Sequence, residues 1–191
     1  MNIVSFPRSG STMTYLLLQE IYEQKNMEFS FCEFYTCCKS IPCKFNKIYQ
    51  KNHDFKLNLE IKENEKYLIL YRKDVIEQLE AWFRYTNRKN NFDYNNHEYY
   101  IKLLKFIKKK INYYKKFINK YVDVKRPNFL VIDYNDYLNN PENRVFDIFN
   151  FFNIKITKKE VGIFLENRKI KLKKRNTLCP KLRNKLIIDL F

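Results

Sequence analysis

The chain has 191 residues, room for one domain with a sizeable core and hardly for two. Hydrophobic residues make up 45% of it, which excludes a disordered basic tail, and the formal net charge is +16. The lysines behind that charge run from Lys25 to Lys185 with only short clusters such as Lys108–Lys110; they suit attraction to an anion and do not single out a nucleic-acid partner.

"NIVSF" (2–6) is a short β-type run ended by Pro7. A loop, "PRSGST", follows and holds one of the chain's two glycines. From Ser11 an apolar face of Thr12, Tyr15, Leu16, Leu18, Ile21 and Tyr22 predicts a helix to about Glu23. "MEFSF" (27–31) is the expected second strand, and "KIYQKNHDF" (47–55), after a cysteine-rich loop, the third. "KYLILYR" (66–72) has the continuous apolar centre of a strand buried on both faces of a parallel sheet. "DVIEQLEAWFRYTNR" (74–88) predicts a helix with Asp74 at its positive end. Residues 95–121 have the spacing of a long amphipathic helix whose lysines form a solvated face. "NFLVIDY" (128–134) is another buried-type strand, and Pro141 opens the helix of "NPENRVFDIFNFFNI" (140–154). The tail is helical in part and basic. Strands alternating with helices predict one α/β domain over 1–191, a central parallel sheet flanked by helices.

The five cysteines are Cys32, Cys37, Cys38, Cys43 and Cys179. An odd number argues against a disulfide framework, and C-x4-C-C-x4-C is not the paired C-x2-C spacing of a zinc ribbon. Reduced cysteines and no metal are the expectation. No stretch approaches the ~20 apolar residues of a membrane span and no leader is visible, so a soluble intracellular protein is expected.

A loop that leaves a buried strand and opens a helix offers free N–H groups and the helix dipole to an anion. Gly10 lets backbone approach that anion, Ser9, Ser11 and Thr12 add hydroxyl donors, and Arg8 adds a charged fork. The loop is not G-x4-G-K-S/T, which disfavours an ordinary nucleotide kinase.

"PRSGSTM" resembles the 5′-phosphosulfate loop of sulfotransferases that use 3′-phosphoadenosine 5′-phosphosulfate (PAPS), P-K/R-S/T-G-S/T-T-W, with Met13 in place of the aromatic residue. "QKNHDF" (50–55) resembles the family's K-T-H segment, through Lys51 and His53. "YLILYRKDV" (67–75) is similar to the element whose arginine, here Arg72, holds the 3′-phosphate. "VIDYNDYLNNPENRVFDIFNFFNI" (131–154) is similar to the Y-E-D-L segment, with Tyr134, Asp136, Pro141 and Phe152 in register. The chain is two residues short after Arg72, so the family's phosphate-binding serine falls on Gln78, or on Glu80 with no gap. In the tail the spacing puts Arg175 on the arginine of the family's R-x-G phosphate loop.

The resemblance implies a P-loop-like fold, PAPS as co-substrate without a metal, and a hydroxyl or amine acceptor. It implies a nucleotide site of Arg8, Ser9, Gly10, Ser11, Thr12, Met13, Arg72, Gln78, Tyr134 and Arg175. Sulfuryl transfer needs a base for the acceptor proton and cations around the leaving phosphate. His53 is the expected base, with Lys51 and Arg8 as the cations, and Glu33 in "SFCEFY" is the alternative base. The short chain leaves little room to enclose a small phenol, which favours a sugar, glycan or other large acceptor in an exposed cleft. A non-catalytic basic binding protein on the same fold is the competing reading.

Overall fold

The computed structural model describes residues 1–40, 43–88 and 96–167. Within them five short strands form one parallel sheet: β1 (Asn2–Ser5), β2 (Phe31–Glu33), β3 (Tyr49–Asn52), β4 (Tyr67–Tyr71) and β5 (Phe129–Asp133). Their order is β2-β3-β1-β4-β5. The described helices are α1 (Ser11–Gln24), α2 (Val75–Thr86), α3 (His97–Tyr121), α4 (Tyr134–Asn139), α5 (Pro141–Phe151) and α6 (Lys158–Asn167).

The period of two along each strand splits the core into two layers. Ile3, Leu68, Leu70 and Ile132 face Leu17, Leu18 and Ile21 of α1 and Val145, Ile148 and Phe149 of α5. Val4, Tyr67 and Ile69 face Leu79, Trp82 and Phe83 of α2 and Tyr99, Leu103, Ile107 and Phe117 of α3. That is why "YLIL" reads as one unbroken apolar run: β4 lies between β1 and β5 with helices on both sides. Each such aliphatic side chain contributes roughly 1.5–3 kcal/mol on burial.

Short polar residues set the helix ends. Asp74 accepts from the N–H groups of Ile76 and Glu77, each at 3.0 Å, and so caps α2 where the sequence placed it. Asn96 caps α3 through Tyr99 N at 2.8 Å, and Asp133 caps α4 through Asn135 N at 3.1 Å. That last cap ends β5 one residue before Tyr134, which opens a short helix instead of closing a strand.

β2 also differs from its expected place at 27–31. Residues 26 and 27 close α1: Asn26 takes left-handed backbone (φ 51°) and bonds to Glu23 O, while Met27 N–H bonds to Tyr22 O at 2.8 Å. Pairing with β3 begins only at Phe31. Asn153 (φ 61°) ends α5 in the same way. In this glycine-poor chain asparagine takes the left-handed turn that usually falls to glycine.

Candidate active site

The parallel strands deliver their carboxyl ends to one edge of the sheet, and the direction of winding reverses around β1. Ligand sites of open α/β sheets form at such a switch point. The loop after β1 lies there, and the expected site residues of the other strands lie at or just past their carboxyl ends: Glu33 and Lys51 within β2 and β3, and His53, Arg72 and Tyr134 just after β3, β4 and β5.

Within the loop, Arg8 (φ 72°) and Gly10 (φ 86°) both have left-handed backbone. Backbone that alternates in this way gathers successive N–H groups into an anion-binding concavity. Gly10 is also the N-cap of α1, and the helix start has no side-chain cap. A Cβ on Gly10 would sit 2.6 Å from two ring carbons of Tyr134. Any other residue would be strained at this φ and would have to displace the Tyr134 ring.

Tyr134 in turn supports Arg72, whose guanidinium lies 4.4 Å from its ring centroid. Arg72 is 8% exposed and donates to Arg8 O at 3.4 Å. Gly10, Tyr134, Arg72 and Arg8 are therefore one packed unit drawn from β1, β4 and β5. The Arg8 guanidinium itself lies 4.4 Å from the ring centroid of Tyr85.

Ser9 and Gln78 bond to each other. Both are fully buried. Ser9 donates to Gln78 Oε1 at 2.7 Å, and Gln78 Nε2 donates to Pro7 O. Both ends of the Gln78 amide are engaged by the loop, so Gln78 supports it from behind. Glu80 pairs with Arg84 and accepts from Tyr99 OH, away from the loop. Ser11 is buried at the start of α1, Thr12 is exposed, and Met13 packs against the core under α1. Arg175 lies outside the described residues.

β3 and the residue after its end bring two side chains beside the loop. Lys51 Nζ bonds to Glu33 Oε1 at 3.0 Å and to Thr12 Oγ1 at 3.4 Å, although the side chain is 6% exposed. His53 Nδ1 lies 2.8 Å from Ser5 O and 3.1 Å from Ser5 Oγ. A carbonyl only accepts, so Nδ1 carries the proton and the neutral ring keeps its lone pair on Nε2. Burial lowers the His53 pKa below the ordinary histidine value, helped by the positive charges of Lys51 and Arg8.

Three further residues position these groups. Asp54, 3% exposed, accepts from Asn58 N, Leu59 N, Lys120 Nζ and Tyr121 OH, so it locks the chain immediately after His53. Tyr113 OH donates to His53 O and Tyr114 OH to Arg72 O, each at 2.7 Å. The long amphipathic helix was visible in the sequence, but not which carbonyls its tyrosine hydroxyls reach.

Beside this edge lies a cleft of about 590 Å³ lined by Phe34, Tyr35, Lys39, Asn52, Asp54 and Phe55, among others. Phe55 packs 5.4 Å from the His53 ring and 5.2 Å from Tyr35, ring centre to centre.

Among protein-family models, the one described as a sulfotransferase domain matches residues 1–185. The chain belongs to the sulfotransferase family. A search of curated proteins returns no match. The parallel sheet with helices on both faces is the α/β fold of sulfotransferases, and the match supports a sulfotransferase-type function. Among the described residues of this sulfotransferase domain, no helix is long and apolar enough to cross a membrane.

Proposed function

We propose that this domain transfers a sulfuryl group from PAPS to an acceptor hydroxyl and releases adenosine 3′,5′-bisphosphate. The observation that carries this reading is that Lys51, on β3, and His53, just after it, reach the two ends of the β1–α1 loop, Lys51 at Thr12 and His53 at Ser5. A base and a cation then flank one anion-binding turn. The chemistry of the donor set suits a nucleotide with anionic groups at both its 5′ and 3′ positions. Loop amides, Arg8 and Lys51 would hold the 5′ side, and Arg72 braced on Tyr134 the 3′-phosphate.

When bound, PAPS supplies a sulfuryl group activated by its anhydride bond to phosphate. His53 Nε2 accepts the proton of the acceptor hydroxyl. The Nδ1–H bond to Ser5 O orients the ring and stabilises the imidazolium that results. Lys51, steadied by Glu33 and Thr12, sets positive charge beside the loop where the leaving phosphate gathers negative charge. In this arrangement Glu33 positions Lys51, and the base is His53.

The cleft beside His53 is the proposed acceptor site. Phe55 and Tyr35 are 41% and 38% exposed there, and such ring faces suit the apolar side of a sugar. Incubation with sulfur-radiolabelled PAPS and a panel of sugars, glycans and phenols tests the reading. Label should pass to a hydroxyl acceptor and stay on PAPS with His53→Ala. Salt-dependent nucleic-acid binding without any response to PAPS would support the non-catalytic reading instead.

A further inference from the structure

We propose that Cys32, Cys37, Cys38 and Cys43 bind one zinc ion as a closed four-thiolate site, formed by β2 and the segment that leads from it to β3. The four sulfur atoms all lie within 4.8 Å of one another. Cys38 Sγ is 3.8 Å from Cys32 Sγ and 3.5 Å from Cys43 Sγ, and none of the four is in a disulfide.

Those distances match a single tetrahedral ion. A Zn–S bond of about 2.3 Å sets the corners of a regular tetrahedron about 3.8 Å apart. Points that are mutually within 4.8 Å lie no more than about 2.9 Å from a common centre, so closing the site needs only small shifts of sulfur. A multi-iron core needs its cysteines spread wider around it. A disulfide would draw two sulfurs to about 2.05 Å, far inside the 3.5 Å and 3.8 Å separations around Cys38. Four thiolates with no open position is the pattern of a structural zinc site.

The backbone brings the ligands together despite a spacing that lacks C-x2-C pairs. After Glu33 the chain makes a helical turn, with Thr36 N and Cys37 N both bonded to Glu33 O and Lys39 N to Phe34 O. That turn folds Cys37 and Cys38 back over Cys32, which is buried on β2. Cys43, also buried, closes the group from the segment leading to β3. Ser40 Oγ donates to Cys38 Sγ at 3.2 Å, the kind of bond that orients and steadies a thiolate ligand. Binding displaces the thiol protons.

The site goes beyond transfer chemistry and touches no atom that would react. Cys32 precedes Glu33, the partner of Lys51, and Phe34, Tyr35 and Lys39 line the acceptor-side cleft. Zinc would fix that wall of the cleft, where among the described residues the segment from 31 to 46 has only the three residues of β2 as regular structure.

The full chain, produced with zinc and reductant and then desalted, should carry one zinc per chain by mass spectrometry. Exchange with Co²⁺ should give the intense visible bands of tetrahedral cobalt thiolate. Cys179→Ser should keep the ion. Cys37→Ser, at an exposed position, should lose zinc to a chelator at least tenfold more readily. If that variant does not fold, the unmutated protein still decides: zinc should shield four thiols from alkylation and chelation should expose them. Metal-free protein with four reactive thiols, disulfides among these cysteines, a coloured iron–sulfur chromophore, or loss of zinc in Cys179→Ser would each overturn the assignment.

Discussion

At His53 the Ser5 carbonyl fixes the tautomer and burial favours the neutral ring, so the side chain is a ready base near neutrality. Its folded pKa lies below the unperturbed value of about 6.5. Turnover should therefore fall as pH drops through a midpoint under that value and hold steady above it. The same depression makes His53 favour folding above its unfolded pKa, with that contribution lost as pH falls through the folded pKa. His53→Ala should cost about 10²–10⁴ in turnover and leave affinity for adenosine 3′,5′-bisphosphate nearly unchanged. Glu33→Gln, which weakens only the tether on Lys51, should cost less. Abolished turnover in Glu33→Gln with His53→Ala still active would reverse the two roles. At Gly10 the penalty is steric. Gly10→Ala meets Tyr134 and forces alanine to φ 86°, so it should destabilise the fold by more than about 1 kcal/mol and weaken nucleotide binding in calorimetry.

Helix α3 links the two halves of the site. Tyr113 holds His53, Tyr114 holds Arg72, and Lys120 with Tyr121 holds Asp54. Asp54→Ala leaves two backbone amides and a hydroxyl without their acceptor and removes the counter-charge of Lys120, which keeps the carbonyls of Leu57 and Leu59. It should cost about 3 kcal/mol by urea denaturation and lower turnover more than nucleotide affinity, because the chain beside His53 loosens. Retained stability would show that α3 is not the brace. The sequence made α3 legible through its spacing, and β4 through its unbroken apolar centre. It misplaced β2 because "MEFSF" alternates like a strand, whereas Asn26 and Met27 are spent on closing α1. It assigned Gln78 to phosphate by alignment, whereas burial behind Ser9 is a tertiary fact. The cysteine group was hidden for a related reason: spacing describes separation along the chain, and the turn after Glu33 converts it to proximity.

Across the whole molecule, the parallel topology turns four separated motifs into one site. The loop after β1, Lys51 and His53 of the β3 segment, Arg72 after β4 and Tyr134 after β5 all belong to strands that finish at the same edge. Their order along the chain carried the family resemblance, and the family match over residues 1–185 agrees with it. The acceptor was not legible to the same depth, since a cleft walled by loops takes its shape from tertiary packing. The net charge of +16 adds long-range attraction for an anionic nucleotide without choosing one. The choice rests on Arg72 and the loop. Isothermal titration with adenosine 3′,5′-bisphosphate, with ATP run alongside, tests the nucleotide assignment most directly. The intact chain should bind one bisphosphate in preference to ATP, and Arg72→Ala should weaken that binding by about 1.5–3 kcal/mol, the range for hydrogen bonds to charged groups. No binding by the intact chain, or equal binding of ATP with Arg72→Ala unchanged, would contradict it.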